Sequence, residues 1–140
     1  KVSLKKSSIS LKKKGTYRIK GESSHGLIVY SNTWIYAEGA TIKRRSDYNW
    51  HLMQTDMRGK GYNVTRNVKI EGGTWDGQGK ETKNTNSVFR FAHASNMAFI
   101  NCTVQNSFNA HIIELGGVKG FTAQGCTVRK YSQNDSRYLQ

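Results

Sequence analysis

The chain has no proline, only two cysteines among 140 residues, few acidic side chains and no long hydrophobic run. No stretch approaches the roughly 18 consecutive apolar residues that a membrane-spanning helix needs. The two cysteines form no Cys-x-x-Cys motif, so a zinc or dithiol redox site is not expected. The nine acidic residues show no cluster that would hold calcium. We therefore expect neither a metal ion nor a cofactor.

Basic residues outnumber acidic ones by 22 to 9, which gives a formal net charge of +13. Such an excess favours polyanionic partners: uronic-acid polysaccharides, anionic cell-wall polymers or nucleic acid. Nucleic acid is the least favoured of these, because the basic segment has no interleaved aromatic residues. A solvated surface explains the charge equally well. Much of it lies before the first repeat, at Lys5, Lys6, Lys12, Lys13, Lys14, Arg18 and Lys20.

Four short segments of the sequence can be superimposed on one another. Each contains a turn-forming residue, a small residue, threonine and a large apolar residue; the threonines Thr41, Thr74, Thr103 and Thr127 are 33, 29 and 24 residues apart. A period of roughly 20–50 residues is typical of solenoids. Apolar residues alternate within each segment, which indicates strands. The sequence therefore predicts an all-β parallel solenoid with loops of variable length at its corners.

The last two repeats predict a register between neighbouring rungs. Aligning their corners places residues 89–91 beside residues 113–115, on strands roughly 4.8 Å apart. The apolar residues at both ends of each run then point inward. Arg90 and Glu114 point outward on an exposed sheet face, where they are expected to form an ion pair.

Gly-Thr-Tyr-Arg-Ile at 15–19, Ser-Asn-Thr at 31–33 and Glu-Gly-Ala-Thr at 38–41 resemble the first coils of the right-handed parallel β-helix of the pectin-lyase-like superfamily. Gly-Gly-Thr-Trp-Asp-Gly-Gln-Gly at 72–79 resembles an early turn of polygalacturonase-type glycoside hydrolases. Asn-Ser-Phe-Asn-Ala-His-Ile at 106–112 resembles the rung that precedes that family's catalytic coils.

The resemblance implies a secreted or cell-surface protein that acts on a polysaccharide, and the net charge is compatible with a polyanionic one. The length and the apolar patterning predict a single β-helix domain or fragment over 1–140, with a capping strand or linker at 1–14 and successive coils over 15–140. The family's catalytic Asn-Thr-Asp, Asp-Asp, Gly-His-Gly and Arg-Ile-Lys motifs do not occur, so we assign no catalytic residue. We expect the β-helix to be incomplete at its C-terminus, and the chain either to self-associate through its open last rung or to be only marginally stable.

Two functions of different classes remain open at this point. The chain is either the N-terminal part of a polysaccharide hydrolase or lyase, whose catalytic rungs lie elsewhere, or a non-catalytic surface or adhesion module that binds glycans. Paired outward-facing aspartates on further rungs would distinguish the enzyme from the binding module.

Five residues are candidates for substrate binding. Arg90 can grip a sugar carboxylate while Glu114 orients a hydroxyl, although a structural ion pair explains both residues. Trp50, in the insertion between the first two repeats, is a platform for a sugar ring. His93 and His111 are further candidates, and the resemblance places His111 beside the cleft. The alternation of the strand instead makes His111 an inward or corner residue.

Three further residues have structural interpretations. Asp76 precedes a glycine, where aspartate commonly caps its own turn. Cys102 and Cys126 occupy the same inward position on successive rungs. A stacked pair of thiols is favoured there over a disulfide, because the side chains of parallel in-register strands run alongside each other.

Overall fold

The structure is a computed structural model that describes residues 7–21 and 26–133. Apart from one helical turn, α1 (Gly79–Thr82), its regular elements are strands. The strands are β1 (Ser7–Ser10), β2 (Thr16–Ile19), β3 (Leu27–Val29), β4 (Thr33–Tyr36), β5 (Thr41–Arg44), β6 (Met53–Thr55), β7 (Thr65–Glu71), β8 (Thr74–Asp76), β9 (Phe89–Ile100), β10 (Thr103–Phe108), β11 (Ile113–Gln124) and β12 (Thr127–Ser132).

Every strand pairing is parallel, and the strands stack into three faces. The first face holds β3, β6 and the opening residues of β9 and β11. The second holds β1, β4, β7 and the remainder of β9 and β11. The third is the five-stranded sheet of β2, β5, β8, β10 and β12. The chain visits the faces in this order on each coil, which confirms the predicted parallel β-solenoid.

The repeat and its register are confirmed residue by residue. The threonines of the four segments lie side by side on the third face, and Thr16 extends their row by one strand. On the first face, Phe89 lies beside Ile113, and Arg90 lies beside Glu114. Alternation along the sequence is therefore enough to fix which residues stack from rung to rung.

Aromatic rings fill the middle of the solenoid. Phe89 is 0 % exposed, and its ring centroid lies 5.4 Å from those of Trp75 and Phe91 and 5.6 Å from that of Phe99. Such offset and edge-on contacts add to the stabilisation from apolar burial. Trp75 is thus a core residue, and its indole nitrogen donates a hydrogen bond to the Gly72 carbonyl at 3.1 Å.

Asparagines form the corner between the first and second faces. Asn32, Asn67 and Asn96 have φ angles of 60°, 57° and 54°, a left-handed conformation that asparagine tolerates better than most residues. Their side-chain amides are hydrogen bonded from rung to rung, from Asn67 to Asn32 at 2.9 Å and from Asn96 to Asn67 at 2.8 Å. Gly120, with φ 73°, takes the next position in this row.

The structure differs from the sequence-based interpretation at several places. The run His-Leu-Met-Gln at 51–54 predicts a strand, but β6 begins only at Met53; the polar residues 80–87 predict a loop, but α1 extends to Thr82. The run Leu-Ile-Val-Tyr at 27–30 predicts a buried strand, but Tyr30 is 56 % exposed because it follows β3 at the corner. Of the expected capping segment, residues 7–10 form β1, while residues 1–6 lie outside the described residues.

The last described coil leaves apolar side chains exposed, including Leu115 at 42 % and Val128 at 54 %. We predict that the chain associates through this surface, since burying it removes apolar area from water. Sedimentation velocity over a concentration series should show oligomers that Val128→Glu weakens. A monomer at every concentration would refute this prediction.

Candidate functional site

A row of outward side chains crosses the strands of the first face. Ile28 lies beside Gln54, Gln54 beside Arg90, and Arg90 beside Glu114 on successive strands. The row therefore runs along the solenoid axis, at right angles to the strands. An extended ligand that follows it would meet Ile28, Arg90 and Glu114, while Gln54 between them is buried.

Arg90 and Glu114 form the predicted ion pair. The Arg90 Nε lies 3.1 Å from one Glu114 oxygen, and the Ser87 hydroxyl donates a hydrogen bond of 2.8 Å to the other. Both charged side chains remain partly exposed, at 40 % and 33 %. The pair stays reachable from solvent, with its charge neutralised and its geometry fixed.

Trp50 stands beside the same row. Its indole nitrogen donates a 2.7 Å hydrogen bond to the Gln54 side-chain oxygen. Its ring meets the His51 ring edge-on, with 5.2 Å between centroids. A hydrogen bond and a packed ring thus fix the orientation of a half-buried aromatic side chain on the first face.

An open groove of about 650 Å³ lies over the first rungs of this face. Trp50 and Tyr30 contribute aromatic surface to it, and Arg58 forms an ion pair with Asp56 at 2.9 Å. Lys20, at one edge, is paired with Asp47 at 3.3 Å, outside the groove. We call this feature the groove; it is lined by Lys20, Gly21, Gly26, Ile28, Tyr30, Trp50, Gln54, Asp56, Met57 and Arg58.

The structure brings together three of the five predicted binding residues. Trp50 lines the groove, and Arg90 and Glu114 continue the row beyond Gln54. His93 lies instead at the corner with the second face, where φ is 53° and its Nδ1 is 3.1 Å from the Gly61 carbonyl.

His111 lies outside the groove as well. It is exposed in the loop before β11, and its carbonyl accepts a hydrogen bond from the Val88 N–H. The inward orientation expected from its alternation with the following strand residues is wrong, because β11 begins only at Ile113.

Sequence reasoning missed Tyr30, Gln54 and the pair of Asp56 with Arg58. Gln54 lies within β6 and Asp56 follows its last residue, two positions later. The alternation of side chains along a strand places both on the same side, which could have identified them. Tyr30 gave a weaker signal, because it follows three apolar residues that look like a buried run.

A buried polar layer lies directly behind this face. The Ser87 carbonyl accepts a hydrogen bond from the Arg44 Nη2 at 3.1 Å and lies 3.2 Å from the His51 Nδ1. Arg44 is fully buried. Burial lowers the pKa of Arg44 to about 10, and burial also raises the pKa of nearby Tyr48 to about 12. Through Ser87, this layer is hydrogen bonded to Glu114 on the surface.

His51 makes the stability of the solenoid depend on pH. Burial lowers its pKa from 6.5 to about 4, so the folded state binds a proton less readily than the unfolded state. Unfolding therefore takes up a proton between these two values, and the free energy of unfolding should fall by up to about 3 kcal/mol as the pH drops through this window. Above pH 6.5 this contribution should be constant.

Urea unfolding at a series of pH values measures this dependence. His51→Gln should flatten the slope between pH 6.5 and 4, whereas His111→Gln, which changes an exposed histidine, should leave it as it is. Equal slopes in the wild type and His51→Gln would refute the assignment to His51.

The Gly-Gly-Thr-Trp-Asp-Gly-Gln-Gly segment has a structural explanation. Asp76 accepts a 2.8 Å hydrogen bond from the Gln78 N–H, which confirms the predicted turn. It also accepts hydrogen bonds of 3.0 Å from the side-chain amides of Gln105 and Asn106. A Cβ on Gly79 would lie 2.6 Å from the Phe108 nitrogen, so only glycine fits there. The carboxylate of Asp76 is committed to this corner.

The two cysteine thiols also have structural positions. Cys102 and Cys126 are free thiols on neighbouring rungs, as predicted, and burial raises the pKa of Cys102 to about 12. Such a thiol is a poor nucleophile at neutral pH. Over residues 7–21 and 26–133, no group of three or more His, Cys, Asp or Glu side chains is placed to hold a metal ion.

A second aromatic cluster lies on the second face, and sequence reasoning did not single it out. Trp34 stacks on Tyr36 with 4.4 Å between ring centroids, and the Lys69 ammonium lies 4.1 Å from the Trp34 centroid. Glu71 joins Lys69 at 2.8 Å and accepts from the Trp34 indole at 3.3 Å. The faces of the Trp34 ring thus contact Tyr36 and Lys69, and we favour Trp50 over Trp34 as the surface on which a sugar ring packs.

Comparisons with protein-family models, curated proteins and solved structures found no match for this chain. In the described part of the chain, no helix is long and apolar enough to cross a membrane.

Proposed function

We propose that the chain is a glycan-binding part of a secreted or cell-surface β-solenoid protein, and that a polysaccharide binds along the first face. One observation carries the proposal: Trp50 and Tyr30 line an open groove beside a row of polar side chains that runs along the solenoid axis. Binding sites of this type combine aromatic surface with a few placed polar groups.

The polar groups of the groove suit hydroxyl groups. The Arg58–Asp56 pair in the groove and the Arg90–Glu114 pair farther along the row offer donors and acceptors at fixed positions, while Gln54, only 5 % exposed, orients Trp50. Aromatic side chains supply rigid apolar surface against which the C–H faces of a sugar ring can pack. Arg58 and Arg90 each have a carboxylate partner, so the groove has no unpaired arginine for an acidic sugar. We therefore propose that the bound sugar units are uncharged.

Binding is favoured over turnover by the described residues. An inverting glycosidase needs two carboxylates roughly 6.5–9.5 Å apart, one of them protonated to act as the acid. On the first face, the carboxylates of Asp56 and Glu114 each form an ion pair with an arginine, so both are engaged in structural contacts. Hydrolase or lyase activity, which the resemblance to the pectin-lyase-like superfamily implies, is the alternative. Kinship with that superfamily is itself part of this proposal, supported by the solenoid fold and by the segment at 72–79.

A pair of exposed tyrosines tests the groove. Tyr30 lines it and is 56 % exposed, whereas Tyr62 is 51 % exposed and lies outside it. Tyr30→Ala should weaken binding of a neutral oligosaccharide by roughly tenfold, the loss of one ring contact, with the melting temperature unchanged. Tyr62→Ala should bind like the wild type.

Titration calorimetry with neutral and acidic oligosaccharides provides the measurement. Equal affinity in both variants would reject the groove as the site. Release of reducing sugars or of unsaturated products by the wild-type chain would favour the enzymatic alternative over binding alone.

A further inference from the structure

Two neighbouring cations lie on a different face from the groove. Arg18 of β2 and Lys43 of β5 lie side by side on the outside of the third face. Within residues 7–21 and 26–133, neither side chain has a carboxylate within ion-pair distance. Like charges on adjacent strands repel each other, and Asp76, which lies beside Lys43 on β8, is engaged in hydrogen bonds with Gln105 and Asn106.

Basic residues also occupy both corners that border these two strands. Lys12, Lys13 and Lys14 lie at the corner with the second face, where Glu38 pairs with Lys13 at 3.3 Å. At the opposite corner, Lys20 and Arg45 share the single carboxylate of Asp47, at 3.3 and 2.9 Å. We call this surface the basic face; it comprises Lys12, Lys13, Lys14, Arg18, Lys20, Lys43 and Arg45.

The basic face is a spread surface rather than a cleft. Neither Arg18 nor Lys43 lines any of the principal grooves of the molecule. The other outward residues of β2 and β5 are Thr16 and Thr41, which place hydroxyl groups beside the two cations. No aromatic side chain occupies an outward position of these two strands, so the face has no platform for bases.

These features fit an extended anionic surface that presents phosphate groups. Arginine matches phosphate oxygens with paired N–H groups, and lysine contributes a compact point charge. Groups of four to eight lysines and arginines attract proteins to acidic phospholipids. The lack of exposed apolar residues at the outward positions of β2 and β5 indicates adsorption to headgroups without insertion.

We propose that the basic face binds the headgroups of an acidic phospholipid surface, separately from the groove. The first face is a different side of the solenoid, so the groove remains open to solvent when the third face is adsorbed. This proposal does not depend on the glycan proposal, because the two surfaces share only Lys20 at their common corner.

Co-sedimentation with vesicles tests the proposal. The wild-type chain should bind vesicles of phosphatidylcholine mixed with phosphatidylglycerol at low salt and should not bind phosphatidylcholine alone. Raising the salt should release it, since the Debye length shortens to roughly 3 Å at molar salt. Replacing two cations with Arg18→Gln and Lys43→Gln should lower the partition coefficient about tenfold or more.

A second double variant controls for net charge. Lys60→Gln with Lys119→Gln removes the same charge from exposed sites outside the basic face, and should lower the partition coefficient less than about threefold. Equal losses in the two double variants would overturn the proposal in favour of unspecific attraction. Tighter binding to duplex DNA or heparin than to the acidic vesicles, at equal ionic strength, would also overturn it. Tyr30→Ala should leave vesicle binding unchanged, so failure of the groove proposal and failure of this one are distinguishable.

Discussion

Phe89→Ala should lower the free energy of unfolding by about 3–5 kcal/mol, the usual cost of removing a buried aromatic ring. The ring of Phe89 contacts those of Trp75, Phe91 and Phe99. In the sheet, Phe89 lies between Met53 of β6 and Ile113 of β11. A cavity at this point would remove contacts from three faces of the solenoid at once. Stacked rungs cannot close it without shifting their register.

Urea denaturation of the variant and of Phe121→Ala measures this loss. Phe121 is only partly buried and contacts Phe99 from one side, at 5.0 Å, so its removal should cost clearly less. Because the total stability of a domain is only about 5–15 kcal/mol, Phe89→Leu serves as the milder variant if Phe89→Ala fails to fold. A loss at Phe89 no larger than that at Phe121 would contradict the placement of the core.

Gly72→Ala should also destabilise the solenoid strongly, by about 2–5 kcal/mol. Gly72 has φ 74°, and an added Cβ would lie 2.8 Å from the backbone nitrogen and Cα of Glu38 on the rung below. The substitution therefore combines left-handed strain with a backbone clash. The backbone at this corner cannot retreat easily, because the Gly72 N–H donates to the Ile100 carbonyl at 2.8 Å.

Gly61→Ala separates the left-handed strain from the backbone clash. Gly61 has φ 75°, but an added Cβ would meet no atom within 4 Å. Its substitution should cost only about 1 kcal/mol, the strain alone. The difference between the two alanine variants in thermal unfolding reports the close approach of neighbouring rungs at the corner. Equal losses would show that the rungs are not in contact there.

The coils and their register could be predicted because the information is local. Inward and outward residues alternate along each strand, and a one-residue slip would bury Arg90 and expose Phe89. The repeated threonine marks the same position in every coil, so it supplies the alignment between rungs. The ion pair of Arg90 with Glu114 follows directly from these two signals.

The groove could be predicted only in part, because loops between the strands position its residues. Trp50 reaches Gln54 through a loop whose path depends on the buried contacts of His51 with Ser87. Arg44 occupies an inward strand position where alternation predicts an apolar residue, and only the carbonyl groups of the facing loop explain it. For His111, alternation left an inward or a corner position open, and the inward one does not occur because the strand begins only at Ile113.

The two proposals divide the surface by charge. The groove combines aromatic rings with arginines that are already paired, which favours uncharged sugars. The basic face has no aromatic residue at the outward positions of β2 and β5, and its neighbouring cations Arg18 and Lys43 have no ion-pair partner among the described residues, which favours an anionic surface. Neither the net charge nor the tryptophan content of the sequence reveals this separation, since both are properties of the whole chain.

The most direct test of the glycan proposal is a ¹H–¹⁵N spectrum of the chain titrated with cellohexaose, xylohexaose, mannohexaose and galactohexaose in turn. The three tryptophan indole signals report on three places: Trp50 in the groove, Trp34 on the second face and Trp75 in the core. We expect at least one oligosaccharide to shift the Trp50 signal while those of Trp34 and Trp75 stay in place. Shifts confined to Trp34, or no shift with any of the sugars, would contradict the assignment of the groove as a glycan site.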